Sequence, residues 1–161
     1  MANKLSFEQQ VDRAIDHIKD RVNDHKKSVA ASIFTRIVRT SPAWSGAYVD
    51  SHHIGIGRRN NRISKIQPGL ENKASPSKIT RIKTVVNLRE LSRLKTVKFN
   101  HKIKISNSIR HAKNIEYLGF MNMGPRFVYK HAVQNYLMNP GAKFAMTKNF
   151  TKGGSAYDLS G

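Results

Sequence analysis

The chain has 161 residues, enough for one domain with a sizeable core. Its 29 Lys and Arg against 10 Asp and Glu give a formal net charge of +19, and the absence of cysteine excludes disulfides, thiolate metal sites and cysteine nucleophiles. No apolar run approaches the roughly 18–20 residues of a membrane span, and the N-terminal MANKLSFEQQ lacks an apolar signal-peptide core, so the sequence predicts a cytosolic chain with no membrane contact.

The first element is a helix. Ser6-Phe7-Glu8-Gln9 has the form of a capping box, in which the Ser6 hydroxyl meets an early backbone N–H while Gln9 reaches back. Val11, Ile15, Ile18, Val22, Val29, Ile33 and Ile37 then recur at the three- and four-residue spacing of one helical stripe. Asp12, Asp16, Asp20 and Asp24 lie on another face, interleaved with Arg13, Lys19 and Arg21. Pro42 disfavours helical geometry at Ser41, so the helix should stop near Thr40. More than thirty residues is about 50 Å of helix, long for a small domain. Either it breaks near Asn23–Lys27, where the stripe is interrupted, or it reaches a neighbouring subunit.

Next comes SPAWSGAYVDSHHIGIG, Ser41 to Gly57, with the chain's one Trp and a His-His pair. Pro42 ends the helix and Gly46 can take the positive φ of a tight turn, so this stretch is a helix-to-sheet corner. Trp44 either plugs the junction or anchors a neighbour. Tyr48 to Ile56 is expected to be a first strand. Residues 57–85 form a basic loop or extended hairpin; the part from 57 to 83 holds eight basic residues, one acid and two prolines. Asn87 to Lys95 is expected as a short helix capped by Asn87. In TVKFNHKIKIS, Val97, Phe99, His101, Ile103 and Ile105 alternate with Lys98, Asn100, Lys102 and Lys104, which predicts a strand with one apolar and one lysine face. Val128 to Leu137 is helical in pattern, and Asn139-Pro140-Gly141 stops it. Together these elements predict an α+β domain over residues 1–138: a small, mostly antiparallel sheet packed by a long N-terminal helix and a C-terminal helix, with long basic loops. Residues 139–161 are expected to form a C-terminal tail without a core of its own.

The charge is segregated. Residues 1–40 carry eight basic and five acidic side chains; the remaining 21 and five leave a net of +16 on residues 41–161. Such a surface attracts polyanions, because each neutralised phosphate releases condensed counterions. The candidate contacts to DNA or to an acidic partner are Arg58, Arg59, Arg62, Lys65, Lys98, Lys102 and Lys104. Phe99 points away from this face, so base stacking is not indicated and any contact is to phosphate, without sequence preference. Gly55-x-Gly57 without a third glycine before a helix is no dinucleotide fingerprint, and no GxxxxGK[ST] occurs. His52 and His53, adjacent on a strand, point to opposite faces and make no metal pair; one is expected in the core and one exposed. His101 is expected as a core histidine. Asp50 beside His52, with Ser45 and Ser51 nearby, lacks a nucleophile-elbow pattern. The acids outside the first helix are too scattered for a two-metal nuclease. The sequence therefore predicts no catalytic residue, no metal and no cofactor.

Two segments carry a family resemblance. The first is Ser41-Pro42-Ala43-Trp44-Ser45-Gly46 followed by Tyr48 and Ser51. The second runs from Ile105-Ser106-Asn107 through His111-Ala112 and Ile115-Glu116-Tyr117 to Gly119. A long amphipathic helix, a Thr-Pro-x-x-Thr-Gly-like corner, a strand ending in Asn, a Tyr-Ala-x-x-x-Glu-Tyr-Gly-like segment and a final helix resemble, in that order, the tail-completion and head–tail joining proteins of tailed bacteriophages. The match spans residues 7–57 and 86–137. It departs from the family pattern at Trp44 (usually Asp), Ala47 (usually basic), His111 (usually Tyr) and at the extra Leu118. The resemblance makes Pro42, Trp44, Gly46 and Gly119 structural corner residues. It implies a non-enzymatic virion protein, assembled in the host cytoplasm as a ring in the neck. That ring completes the tail end or joins the head to it, its neighbours being portal or adaptor proteins and tail-tube or tail-terminator proteins, with genomic DNA passing the lumen. The alternative is a sequence-independent nucleic-acid-binding protein.

Overall fold

The computed structural model describes residues 6–69, 71–119 and 124–139; the expected tail at 139–161 lies outside these apart from Asn139. The fold is α+β. Its elements are α1 (Phe7–Thr40), a helical turn α2 (Ala47–Asp50), β1 (His52–Ile56), α3 (Pro76–Ser92) running into a 3-10 turn at Arg93–Thr96, β2 (Ile103–Asn107), a π-helical turn at Asn114–Leu118, and α4 (Val128–Met138). Among the described residues the sheet is one antiparallel pair, with His52 opposite Asn107 and Ile56 opposite Ile103.

Helix α1 starts as its capping box predicts: the Gln9 amide donates to Ser6 Oγ, and the Ser6 amide donates to Gln9 Oε1. It runs unbroken for 34 residues. The interruption of its stripe marks the place where it meets the body. Asn23 is its first buried residue, and its side-chain amide donates to the Val97 carbonyl at 3.0 Å. Lys26 Nζ donates to the carbonyls of Lys98, Phe99 and His101 at 2.8–3.0 Å. Beyond this point Ala30, Ala31, Phe34 and Val38 pack with Val49, Ile54, Val86, Leu94 and Val97 into the main core. Ile37 enters a second cluster with Tyr48, Ile115, Val128 and Ala132. Before Asn23 every described residue of α1 is exposed, Phe7 and the stripe members Val11, Ile15, Ile18 and Val22 included.

Several elements differ from their sequence expectation. Tyr48 to Asp50 belong to the turn α2, so the first strand begins at His52. The 57–85 segment is a loop only as far as residue 75. There Ser75 accepts from the Lys78 amide as N-cap and Pro76 occupies the first turn of α3, a 17-residue helix that includes Asn87 in its interior. The expected strand from 97 to 105 is strand only from Ile103. Residues 97–101 bend, and their carbonyls turn to α1 side chains where a sheet neighbour was expected. His101 therefore sits half-buried in that bend, its Nδ1 accepting from the Lys98 amide at 3.2 Å.

Candidate functional site

The corner and the segment 105–119 form one unit. Gly46 has φ +91°, the left-handed geometry that the turn from α1 into α2 requires. Ser41 ends α1, donating its hydroxyl to the Ile37 carbonyl at 2.6 Å. With that hydrogen committed, Ser41 Oγ accepts from His52 Nε2 at 2.7 Å. His52 Nδ1 then accepts from the Tyr129 hydroxyl at 2.9 Å and the Asn107 amide at 3.1 Å, which assigns the Nε2–H tautomer. Asn107 Nδ2 also donates to the Tyr48 carbonyl, and the Ser108 amide donates to the Ser51 carbonyl. Four elements thus converge on one imidazole.

Both histidines are fully buried, His53 as well as His52, where one exposed ring was expected. The loop after β1 folds back over the His53 face. It can do so because residue 55 is glycine: a Cβ there would lie 2.1 Å from the Arg58 carbonyl oxygen. His53 Nε2 meets the Arg62 carbonyl at 2.8 Å, and Nδ1 meets Glu90 Oε1 at 3.2 Å. Glu90, 1% exposed, also accepts from the Ile54 amide at 2.9 Å and from Arg89 Nε at 2.8 Å. It thereby satisfies an outward N–H of β1 that would otherwise be an open sheet edge. Burial alone would raise its pKa; the bonds from His53, the Ile54 amide and Arg89 outweigh burial and hold the carboxyl at about 2. Asp50 is engaged structurally as well, accepting from Arg89 at 2.8 Å and from Ser64 at 2.7 Å.

Burial, then the neighbouring charges of His53 and Lys83, push His52 down to about 3. An unfolded His52 takes a proton near pH 6.5 and the folded one does not. The stability this represents is complete above about pH 6.5 and is lost as pH falls towards 3. The slope approaches about 1.4 kcal/mol per pH unit while one proton separates the two states. Glu90 adds to the loss only below about pH 4.5. Urea midpoints should therefore fall between pH 7 and 5 in the parent and stay nearly level in His52→Gln. Identical pH profiles for both proteins would show that this network does not set the acid limit.

Trp44 is 40% exposed, so it does not plug the junction. It stands at a cavity of about 570 Å³ that is also lined by Pro42, Tyr48, His111, Ile115 and Arg126, with Lys73 Nζ 5.1 Å above its ring. Gly119 (φ +85°) follows the π-helical turn. Within that turn, buried Glu116 accepts from the amides of Val128 and Tyr129 at 2.8 and 2.9 Å. It caps α4 from a distance, since the N-cap residue Phe127 supplies no side-chain bond. Nothing in the spacing of the sequence points to this role.

The basic residues are brought together in part. The loop after β1 lies along the sheet: Arg59 donates to the Asn107 carbonyl at 2.8 Å, and the Gly57 amide donates to the Lys102 carbonyl at 2.7 Å. Arg58, Arg59, Lys102 and Lys104 therefore share the sheet region, all four exposed. The Arg62 carbonyl accepts from His53 and Ser108, while its side chain and Lys65 stay at the surface. Lys98 is in the bend, off the strand, so the expected lysine face is reduced to Lys102 and Lys104. Among the described residues no three His, Asp or Glu side chains gather as a metal site. No family model, no curated protein and no solved structure matches this chain.

Proposed function

We propose that the protein is a structural component of a tailed-phage neck, forming a ring that completes the tail end or joins head to tail with DNA passing the lumen. The observation that carries this reading is the junction at His52. There the two segments that bear the resemblance, about fifty residues apart in sequence, are locked into one unit through Ser41, Tyr48, Asn107 and Ser108. The titratable groups at the junction are consumed in structural bonds: burial keeps His52 neutral, and Asp50 and Glu90 are held by Arg89. The reading explains a rigid corner without catalytic geometry. Electron microscopy of the purified protein, alone and mixed with tails lacking it, tests the proposal. Rings that form without DNA and cap tail ends are expected; a protein that stays unassembled and leaves tails unchanged would overturn it.

A second reading, sequence-independent binding to nucleic acid, is favoured by the exposed cluster of Arg58, Arg59, Lys102 and Lys104. Replacing Lys98, Lys102 and Lys104 with Gln should weaken polyanion binding. On duplex DNA the slope of log K against log salt should flatten by about 0.9 for each phosphate that is no longer neutralised. From their positions, Lys102 and Lys104 should account for most of the change. An unaltered slope would mean that this face does not meet phosphate.

A further inference from the structure

We propose that the exposed half of α1 pairs antiparallel with the same segment of a second copy, Val11 opposite Val22 and Ile15 opposite Ile18. The pairing is two-fold, unlike the head-to-tail contacts that close a ring, and it does not depend on the neck reading.

The stripe on α1 resumes after its interruption at Asn23–Lys27, but it is covered only at its far end. Ile33 and Ile37 pack in the second cluster with Val128 and Ala132 of α4. Among the described residues Val11, Ile15, Ile18 and Val22 touch no buried cluster and are 38–60% exposed. Their spacing of four, three and four residues is the alternation of a coiled-coil seam. Four such side chains in a row on a helix that has already left the body are the signature of a helix-on-helix contact.

Charge selects the occupant and its direction. Layers joining 11 to 22 and 15 to 18 set Asp12 beside Lys19 of the second copy, and by symmetry Lys19 beside its Asp12. The next layer outward sets Glu8 against His25. The parallel arrangement gives Asp12 no such lysine and sets Arg21 against Lys26. One sequence thus supplies both complementary halves of the antiparallel contact, as an isologous interface requires. Four apolar layers bury less than the roughly 1,200 Å² of a durable interface, so the pair should form and dissociate with concentration.

The chain has no cysteine, so introduced thiols report the contact without background. Val11→Cys and Val22→Cys should each fail to cross-link alone under mild oxidation, and should form a disulfide-linked dimer when mixed. Ile15→Gln/Ile18→Gln in the full-length chain should melt with the parent, since neither residue packs on the body, yet lose the concentration-dependent association seen by sedimentation. Cross-linking of either single variant as strong as in the mixture would indicate a parallel pair and overturn the proposal. So would a parent that sediments as a monomer up to about 1 mM, or association that survives the double substitution.

Discussion

Glu90→Ala is expected to lower the unfolding free energy by about 3–5 kcal/mol, the usual cost of breaking a buried charged pair from one side. The substitution leaves His53 Nδ1, the Ile54 amide and the Arg89 Nε–H without their acceptor, in a place where the carboxylate was 1% exposed. Water cannot enter to replace it without opening α3 from β1. Against a total of about 5–15 kcal/mol for a domain, this is enough to unfold a marginal protein. Glu90→Gln keeps the shape and one acceptor oxygen, but its NH₂ group must face either the Ile54 amide or the His53 and Arg89 donors that share Oε1. A smaller loss, about 1–3 kcal/mol for an unsatisfied buried donor, is expected. Urea titrations at pH 7 measure both. A Glu90→Ala protein within about 1 kcal/mol of the parent would mean that the carboxylate contributes no more than a neutral hydrogen bond.

Gly46→Val is the second large effect expected. A β-branched residue at φ +91° is strained by about 1–3 kcal/mol. A Cβ at this position also lies 2.5 Å from the Ile82 Cδ1 atom, with the tips of Ile79 and Ile66 at 3.6 and 3.7 Å. The Ile82 methyl can shift, but only against these neighbours, so crowding adds to the strain and the total is about 2–5 kcal/mol. Gly46→Ala should suffer the backbone strain with less crowding. Thermal melts rank the two variants, and a head–tail joining assay run beside them separates folding from recognition. If Gly46→Val melts like the parent and still abolishes joining, Gly46 serves a partner directly and its structural role is wrong.

The parts legible in the sequence are those whose signals are local. The α1 capping box, its stop at Pro42 and the positive φ at Gly46 depend on neighbours within a few residues. Helix α3 has a local signal too, in Ser75 followed by Pro76 at the helix start. That signal lies inside a stretch whose prolines and basic residues suggest loop, and the buried side of the helix includes a glutamate, Glu90, which interrupts the apolar pattern. The strand expected from Val97 fails for a tertiary reason. Asn23 and Lys26, more than seventy residues earlier, capture the carbonyls that a sheet partner would have used. The burial of His53 is hidden for a related cause, since only a loop folded over Gly55 covers that face. The lysine face shrinks with the strand that was to carry it, whereas Arg58 and Arg59 come to the sheet through the Gly57 amide and the Arg59 guanidinium, contacts that no charge count reveals.

The capping of α4 by Glu116 has a consequence for the order in which the chain folds. At 11 residues α4 is shorter than the roughly 12–15 that hold a helix in water. The carboxylate that satisfies its first amides belongs to a turn that must itself already be in place. A peptide of residues 124–139 alone should be unstructured. In kinetic terms α1 can form early from its own cap, whereas α4 is a late element that waits for the 114–118 turn. The last helix thus behaves like a tethered ligand of the body it completes: its helicity is a property of the bound state.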